Sequence, residues 1–320
     1  MKIALVAPNI IPLPSSGGIE RVVYNLSDEL VTRGHEVYVY AHKDSSSKGV
    51  IIPYGYRGFS TKNMKEFVLQ TLPDDIDVIH DHTHSLVIGR ERLDIPTIST
   101  IHTESGLNSS VKCPVYVSKT KLLQSSNKDI GDYVHNGIDL QSYTYSEVKE
   151  DFLLFLGRID TGKGVENVIS LAELTGIRTI IAGPIWDKKL YKKLEPQIQQ
   201  SQNITYVGEV HGKSKQQLLS CAKWLVFPID VEEQFGLVLV EALACGTPVA
   251  AFGKGGVTEV LQGLSMFVCS DLTQMEHLVK GDSPVKPNDL REYVSKLFTK
   301  TRMADRYLEL YQRAIDGWNK

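Results

Sequence analysis

The sequence predicts an α/β fold made of two doubly wound parallel sheets. Short β-rich apolar runs alternate with amphipathic helical patterns, and this alternation stops at a polar segment and then restarts. The chain has 320 residues, of which 42% are hydrophobic and 23% charged, so it is long enough for two ordinary globular domains. Because ligands of such sheets bind beyond the carboxyl ends of the strands, two Rossmann-like domains facing each other would enclose a site in the cleft between them.

The predicted elements follow the chain in two series. In the first series we expect one helix at residues 19–33 and strands at residues 3–7, 36–40, 78–80 and 97–101. In the second we expect strands at 152–156, 179–182, 204–207, 224–227 and 248–252, with helices near 164–175, 213–221 and 236–244. The polar segment between them places an N-terminal domain at 1–143 and a second domain at 144–289. Helical spacing over residues 290–318 predicts a terminal helix or helix pair.

Composition limits the kinds of partner. The net charge is −3 and no segment concentrates Lys or Arg, so we expect no nucleic-acid partner. No stretch approaches the ~18 consecutive apolar residues of a membrane-spanning helix, so at most a peripheral membrane contact is expected. The cysteines lie far apart and have no zinc-site spacing, which favours a reducing cytoplasm; they are Cys113, Cys221, Cys245 and Cys269.

The most informative segment is residues 227–249, FPIDVEEQFGLVLVEALACGTPV. A strand ends in an acidic loop, and a helix begins near Gly236, where free N–H groups and the positive end of the helix dipole suit a diphosphate. Glu241 lies about a turn and a half inside this helix, where its carboxylate can accept hydrogen bonds from the two hydroxyls of a ribose. Glu233 lies in the entry loop and could hold a sugar. Either acid, taken alone, could also be a solvated surface charge.

Together these residues resemble the signature of the family-4 glycosyltransferases (glycosyl transferases group 1), which have the GT-B fold. The resemblance rests on two glutamates with seven residues between them, Phe-Gly after the first and EALACGTPV from the second onward. It implies that Glu241 binds the donor ribose and Glu233 the transferred sugar, with backbone N–H groups of Phe235, Gly236 and Leu237 orienting that sugar. It further implies a retaining, metal-independent hexosyltransferase that uses a nucleoside-diphosphate sugar, UDP- or GDP-linked, and no cofactor.

A second segment, residues 155–164, FLGRIDTGKG, places Arg158 and Lys163 on either side of a glycine-containing turn. Fixed cations there would stabilise the negative charge on a leaving diphosphate and could replace a divalent metal. Alone, the segment could be a solvated turn with two ordinary cations. It also resembles the phosphate site of the same family, which implies a donor-binding and catalytic role for both residues.

In the first domain, residues 14–21, PSSGGIER, link the first strand to the first helix. Gly17 and Gly18 would let backbone amides approach a phosphate closely, although a glycine pair is often only a turn. The segments NLSDEL at 25–30 and RGHEV at 33–37 resemble the family pattern, so the resemblance places Gly17 and Gly18 at the donor diphosphate. His102 follows an apolar strand; a lone histidine is often structural, but the family often has one here that contacts the donor sugar.

Residues 80–84, HDHTH, alternate histidines along a strand, which raises the possibility of a metal site. The family commonly has histidines at this strand end that bind no metal, so we expect His82 near the acceptor or sugar. Residues 253–259, GKGGVTE, resemble a family loop near the nucleotide and sugar and make Glu259 a candidate donor ligand. The match fades after Glu259, because LSMF at 264–267 replaces the usual later glycine.

The resemblance extends over nearly the whole chain. It includes VHNGID at 134–139, at the expected interdomain connection, and the helices at 290–320, which in this fold cross back onto the first domain. The chain is shorter than is usual for the family, and only residues 104–112 separate His102 from the next strand, so acceptor-side structure is reduced. The acceptor is left open as a saccharide, a lipid-linked glycan or a small metabolite.

The expected mechanism has the donor bound mainly to the second domain, with closure bringing His102 and the Gly17-Gly18 loop onto it. A nucleotide-sugar 2-epimerase or hydrolase of the same fold remains an alternative, as does a non-catalytic bilobed sugar-nucleotide-binding protein. An NAD-dependent dehydrogenase is disfavoured, because no Gly-x-Gly-x-x-Gly follows the first strand.

Overall fold

The structure is a computed structural model that describes residues 1–12, 17–54, 61–106 and 108–318. The chain forms two compact units: unit 1 comprises Met1–Ile138 and Phe298–Lys320, and unit 2 comprises Asp139–Leu297. Within unit 1, the Ile138 N–H donates to Phe298 O at 2.9 Å and the Lys300 N–H donates to Ile138 O at 2.8 Å. These bonds join the segment that leaves unit 1 to the segment that returns to it. Residues 139–143, which were predicted to end the N-terminal domain, lie in unit 2. Residues 290–297, which were predicted to cross back onto the first domain, also lie in unit 2.

The described part of unit 1 contains a parallel sheet of seven strands in the order β3-β2-β1-β4-β5-β6-β7. The strands are β1 Lys2–Val6, β2 Glu36–His42, β3 Val50–Tyr54, β4 Val78–Asp81, β5 Thr97–Ile101, β6 Pro114–Tyr116 and β7 Asp132–Tyr133. The first helices are α1 Gly18–Thr32, α2 Thr61–Thr71 and α3 Lys119–Gln124. β1 is central because it pairs with β2 on one side and β4 on the other, and its residues from Ile3 to Val6 are fully buried.

Unit 2 contains a parallel sheet of six strands in the order β10-β9-β8-β11-β12-β13. Its strands are β8 Glu150–Leu156, β9 Thr179–Ala182, β10 Ile204–Tyr206, β11 Ala222–Phe227, β12 Val249–Phe252 and β13 Val268–Cys269. Its helices are α4 Val165–Thr175, α5 Lys188–Gln200, α6 Gly212–Cys221, α7 Leu237–Ala244, α8 Val257–Val260, α9 Leu272–Lys280 and α10 Pro287–Leu297. The chain then re-enters unit 1 and ends in α11, Lys300–Gly317.

The two parallel sheets confirm the predicted α/β fold class. The prediction did not include β3 and α2 of unit 1. It also lacked β7, β13, α3, α5, α8 and α9. Val50 is half-exposed at an edge of the sheet, so burial imposes only a weak pattern on β3. The terminal segment is a helix pair, α10 and α11. Of the helices that the structure describes, none combines the length and the apolar character needed to cross a membrane.

Candidate functional site

The candidate site of unit 2 lies where β8 and β11 are neighbours. From β8 the chain proceeds outward to β9 and β10, and from β11 it proceeds in the opposite direction to β12 and β13. Such a reversal of strand order opens a crevice at the carboxyl ends of the two central strands, where open α/β sheets bind ligands. The loops that follow these strands, residues 157–164 and 228–236, therefore carry the candidate ligand-binding residues.

These two loops pack directly on each other. The Asp230 N–H donates to Gly162 O at 2.9 Å, and Asn167 Nδ2 donates to Pro228 O at 2.9 Å. Gly164, at the N-cap of α4, has φ +81°, and a Cβ placed on it would lie 2.1 Å from Pro228 O. Only glycine allows this approach, so the short distance between the loops depends on it.

Lys163 and Glu233, predicted from separate motifs, are in direct contact. Lys163 Nζ lies 2.8 Å from Glu233 Oε2, and the two side chains are 23% and 18% exposed. The Gln234 N–H donates to Glu233 Oε1 at 3.1 Å, and the Gly256 N–H donates to Glu233 O at 2.8 Å. The acid is thus held by its backbone and by both carboxylate oxygens beside a fixed cation.

Arg158 is placed by an aromatic side chain, Trp186, that belongs to none of the predicted motifs. Its guanidinium lies over the Trp186 ring, 4.3 Å from the ring centroid, and 3.7 Å from Asp160 Oδ2. The Trp186 N–H and the Asp187 N–H both donate to Ile159 O at 3.0 Å, so the loops after β8 and β9 are joined. Trp186 is 63% exposed, and one exposed tryptophan gives no periodic signal in a sequence. The cation–π contact limits the directions in which Arg158 can point.

The start of α7 is the predicted phosphate-binding element. Gly236 is its N-cap, with φ +93° and ψ 53°, Leu237 is its first residue, and the Phe235 side chain is buried. The N-terminal N–H groups of a helix have no acceptor inside the helix and favour an anion. Because Glu233 precedes this helix start by three residues, the anion site, Lys163 and the acid belong to one region of unit 2.

Glu241 lies on α7 and is 5% exposed. Its Oε1 accepts a hydrogen bond from the Tyr143 hydroxyl at 2.8 Å, and Lys215 Nζ lies 2.7 Å from its Oε2. Neither partner is apparent from the sequence, because Tyr143 precedes β8 and Lys215 lies on α6, each far along the chain from α7. Buried carboxylates are found with such partners, so a solvated surface role for Glu241 is wrong.

Glu259 lies on the short helix α8 and is half-buried. The preceding Gly255 forms a parallel bridge with Glu233, so the loop before α8 lies beside the acidic loop. The role of Glu259 as a donor ligand stays a prediction.

In unit 1 the predicted histidines form a connected group. His82 Nδ1 lies 2.9 Å from His102 Nε2, and the rings of His80 and His82 have centroids 3.8 Å apart. His80 Nδ1 bonds to the Tyr311 hydroxyl and His80 Nε2 to Thr100 Oγ1, both at 2.7 Å. Both ring nitrogens of His80 are therefore occupied, which leaves it no lone pair for a metal. Across the described residues, no group of three or more His, Cys, Asp or Glu side chains is placed to hold a metal ion.

All three rings are uncharged at neutral pH. Burial lowers the pKa of His80 and of His82 well below the usual value, with a further contribution from neighbouring histidines. Burial lowers the pKa of His102 to about 3, and His84 adds to the effect. His102 can thus offer a neutral hydrogen bond to a ligand, but it cannot supply a positive charge.

These depressed pKa values predict a loss of stability in acid. Well above pH 6.5 the rings are neutral in both the folded and the unfolded state. As the pH falls toward and below about 6.5, the unfolded chain binds protons that the folded chain does not. By pH 5, each histidine with a folded pKa below 5 is expected to have lowered the free energy of unfolding by about 2 kcal/mol. Urea unfolding of the protein at pH 7 and pH 5 measures the difference.

The variant His82→Gln removes one titrating ring and should reduce this pH dependence. His277→Gln changes an exposed histidine of unit 2 and serves as the control. Equal pH dependence in the wild type and His82→Gln would contradict the assignment.

Gly17 and Gly18 lie at the start of α1, as its N-cap and its first residue. Pro14, Ser15 and Ser16, which complete the predicted loop, lie outside the described residues. Contact of the two glycines with a diphosphate stays a prediction, as do the contacts of His82 and His102 with a substrate.

In unit 2 the loops at the switch point of the sheet carry Arg158, Lys163 and Glu233 beside the start of α7, the position at which doubly wound sheets commonly bind ligands. Two families match the chain: Glycosyl transferases group 1 over residues 144–281 and Glycosyltransferase Family 4 over residues 16–126. The two matched segments together cover well over half of the chain. The chain belongs to the family-4 glycosyltransferases (glycosyl transferases group 1) and has the GT-B fold.

Curated relatives and solved structures agree with this membership. The chain is 25% identical to D-inositol 3-phosphate glycosyltransferase of Mycolicibacterium smegmatis, over 78% of this chain and 74% of that protein. It is 23% identical to phosphatidyl-myo-inositol mannosyltransferase of the same organism, over 82% of this chain and 78% of that protein. Its fold is similar to that of AviGT4, a glycosyltransferase of avilamycin A biosynthesis, with a TM-score of 0.81, 24% identity and coverage of 99% and 98% of the two chains.

Proposed function

We propose that this protein is a retaining glycosyltransferase that moves a sugar from a UDP- or GDP-sugar to an acceptor hydroxyl. The observation that carries the proposal is the 2.8 Å contact between Lys163 and Glu233, beside the start of α7. A cation and an acid held together at a helix start match the two halves of a sugar diphosphate. The phosphates need positive charge, and the transferred sugar develops positive charge as the diphosphate departs.

In the proposed complex the diphosphate lies at the start of α7, with Arg158 and Lys163 as its cations. Arg158 can bind two phosphate oxygens at once, because its guanidinium presents parallel N–H donors. Glu241 accepts hydrogen bonds from the ribose hydroxyls, and Glu233 holds the transferred sugar. The two cations supply the charge that a divalent metal would otherwise provide, which supports a metal-independent reaction.

The proposed reaction breaks the bond between the anomeric carbon and the diphosphate oxygen and forms a bond from that carbon to the acceptor oxygen. Attack from the face that the diphosphate leaves preserves the anomeric configuration. The acceptor proton passes to the departing diphosphate, so no separate protein base is required. Glu233 stabilises the developing positive charge on the sugar without forming a covalent bond.

The nucleotide is proposed from chemistry and from related folds. Anabaena HepE, whose fold is similar with a TM-score of 0.76 and 17% identity, was crystallised with UDP and glucose, which supports UDP as the first nucleotide to test. The acceptor is proposed as a class only: a saccharide, a lipid-linked glycan or a small metabolite.

A thermal-shift screen of UDP, GDP, ADP and their sugars, with and without EDTA, tests donor binding. A nucleotide at 100 times its Kd should stabilise the native state by about 2.7 kcal/mol and raise Tm accordingly. The stabilising sugar nucleotide is then incubated with candidate acceptors, and NMR of the product reports the anomeric configuration. An inverted product, or a requirement for metal, would overturn the corresponding part of the proposal. If none of these nucleotides stabilises the protein, the donor assignment is wrong.

A further inference from the structure

Glu241 is one member of a connected group of side chains in unit 2. Each of its carboxylate oxygens has a partner on a different element: the Tyr143 hydroxyl at 2.8 Å and Lys215 Nζ at 2.7 Å. Tyr143 is 4% exposed, and the Lys215 side chain is 14% exposed. These contacts are largely shielded from water, so they constrain the carboxylate more strongly than surface contacts would.

The backbone that carries Tyr143 is itself held. Arg291, on α10, donates from Nη1 to Tyr143 O at 3.1 Å and from Nη2 to Leu140 O at 2.9 Å. Nη1 also donates to Ala244 O, at the carboxyl end of α7. One guanidinium therefore joins the segment before β8 to the helix that carries Glu241, which limits movement of the Tyr143 hydroxyl relative to the carboxylate.

Recognition of a ribose needs such a carboxylate. Two vicinal hydroxyls can both donate to one carboxylate most favourably when it is ionised and its plane is held toward them. An ionised carboxylate offers about four acceptor positions, and Tyr143 and Lys215 each contact one of the two oxygens of Glu241. The positive charge of Lys215 favours the ionised form at a buried position, and the two contacts together fix the orientation of the carboxylate.

We propose that Lys215 and Tyr143 are positioning residues that, through Glu241, set the preference for ribonucleotides over deoxyribonucleotides. The inference rests on the proposed function, because it takes a ribose as the ligand of Glu241. It assigns the selectivity to residues outside the glutamate motif, on α6 and in the segment before β8. A purely structural ion pair between α6 and α7 would support the fold and would leave this selectivity unchanged.

Calorimetric titration with UDP and 2′-deoxy-UDP, with GDP and 2′-deoxy-GDP in parallel, tests the inference. The wild type should bind the ribonucleotide about tenfold more tightly, since the deoxy form lacks one hydrogen bond to a charged group. In Lys215→Met and Tyr143→Phe the ratio should fall to within about twofold, mainly through weaker ribonucleotide binding. Lys213→Met, an exposed lysine on the same helix, is the matched control and should keep the wild-type ratio.

The outcomes separate the two claims. If the wild type binds none of these nucleotides, the proposed function fails, and the inference fails with it. If the wild type discriminates and Glu241→Ala does not, but Lys215→Met and Tyr143→Phe keep the full ratio, only the inference is overturned. Tyr143→Phe removes a single oxygen atom, so it carries the test even if loss of the Lys215 charge unfolds unit 2.

Discussion

Replacing Glu233 with glutamine is expected to lower turnover by about 10²–10³-fold, the range typical of removing one charged contact to a transition state. Binding of the free nucleoside diphosphate should be unchanged or tighter. Glu233 pairs with Lys163 at 2.8 Å, so its negative charge lies close to the proposed phosphate position. The amide removes that charge and releases the ammonium for the phosphates. Steady-state kinetics together with nucleotide titration separate the two effects.

The partner variant Lys163→Met should behave differently, because it loses the cation that both the ground state and the transition state use. Nucleotide affinity and turnover should both fall. Glu232→Gln makes the same change of charge at the exposed neighbouring residue and should retain wild-type rates. Wild-type turnover in Glu233→Gln, or weaker nucleotide binding by that variant than by Lys163→Met, would contradict the proposed roles.

Gly164→Ala is expected to destabilise unit 2 by about 3–4 kcal/mol, as the sum of overpacking and of a left-handed backbone at a non-glycine residue. At φ +81° the new Cβ would lie 2.1 Å from Pro228 O and 2.6 Å from the Pro228 carbonyl carbon. Both contacts are with backbone, so a side-chain rotation cannot relieve them. The loop that carries Lys163 must move away from the loop that carries Glu233, and turnover should fall even where the protein remains folded. Urea unfolding and donor turnover measure the two effects.

The opposite end of the same helix provides the control. Gly176, the C-cap of α4, has φ +67°, but a Cβ there would meet nothing within 4 Å. Gly176→Ala should therefore cost only about 1–2 kcal/mol from the left-handed backbone, with turnover unchanged. Equal destabilisation by the two alanine variants would show that contact between the loops is not what constrains Gly164.

The sequence predicted the fold class because both sheets are built from runs whose burial is regular. Every residue of β5 and β9 is buried, and β8 contains four consecutive buried residues; such runs are visible without any knowledge of the partner strands. The edge strand β3 has a largely half-exposed pattern and was not predicted. A strand at an edge takes part of its stability from pairing with its neighbour, and pairing leaves little trace in local composition.

The candidate site was predictable to the extent that its chemistry lies in short contiguous segments. Lys163 and Glu233 were identified from separate motifs, and the structure brings their side chains into contact. The prediction did not include Trp186 beside Arg158. It also did not include Lys215. This residue lies on α6, which is separated from α7 by β11, and it contacts Glu241 because the fold brings α6 and α7 together.

The amino-acid sequence alone thus determined two parallel α/β sheets, the position of the acidic loop before α7, and the cations after β8, since each depends on residues adjacent along the chain. The tertiary structure decided which groups contact the site residues. Tyr143 and Lys215 contact Glu241, and Tyr311 contacts His80 although the two lie 231 positions apart in the sequence. The physical reason is that burial periodicity and helix-start chemistry are local properties. The ionisation and orientation of a buried side chain depend instead on whichever distant elements the fold packs against it.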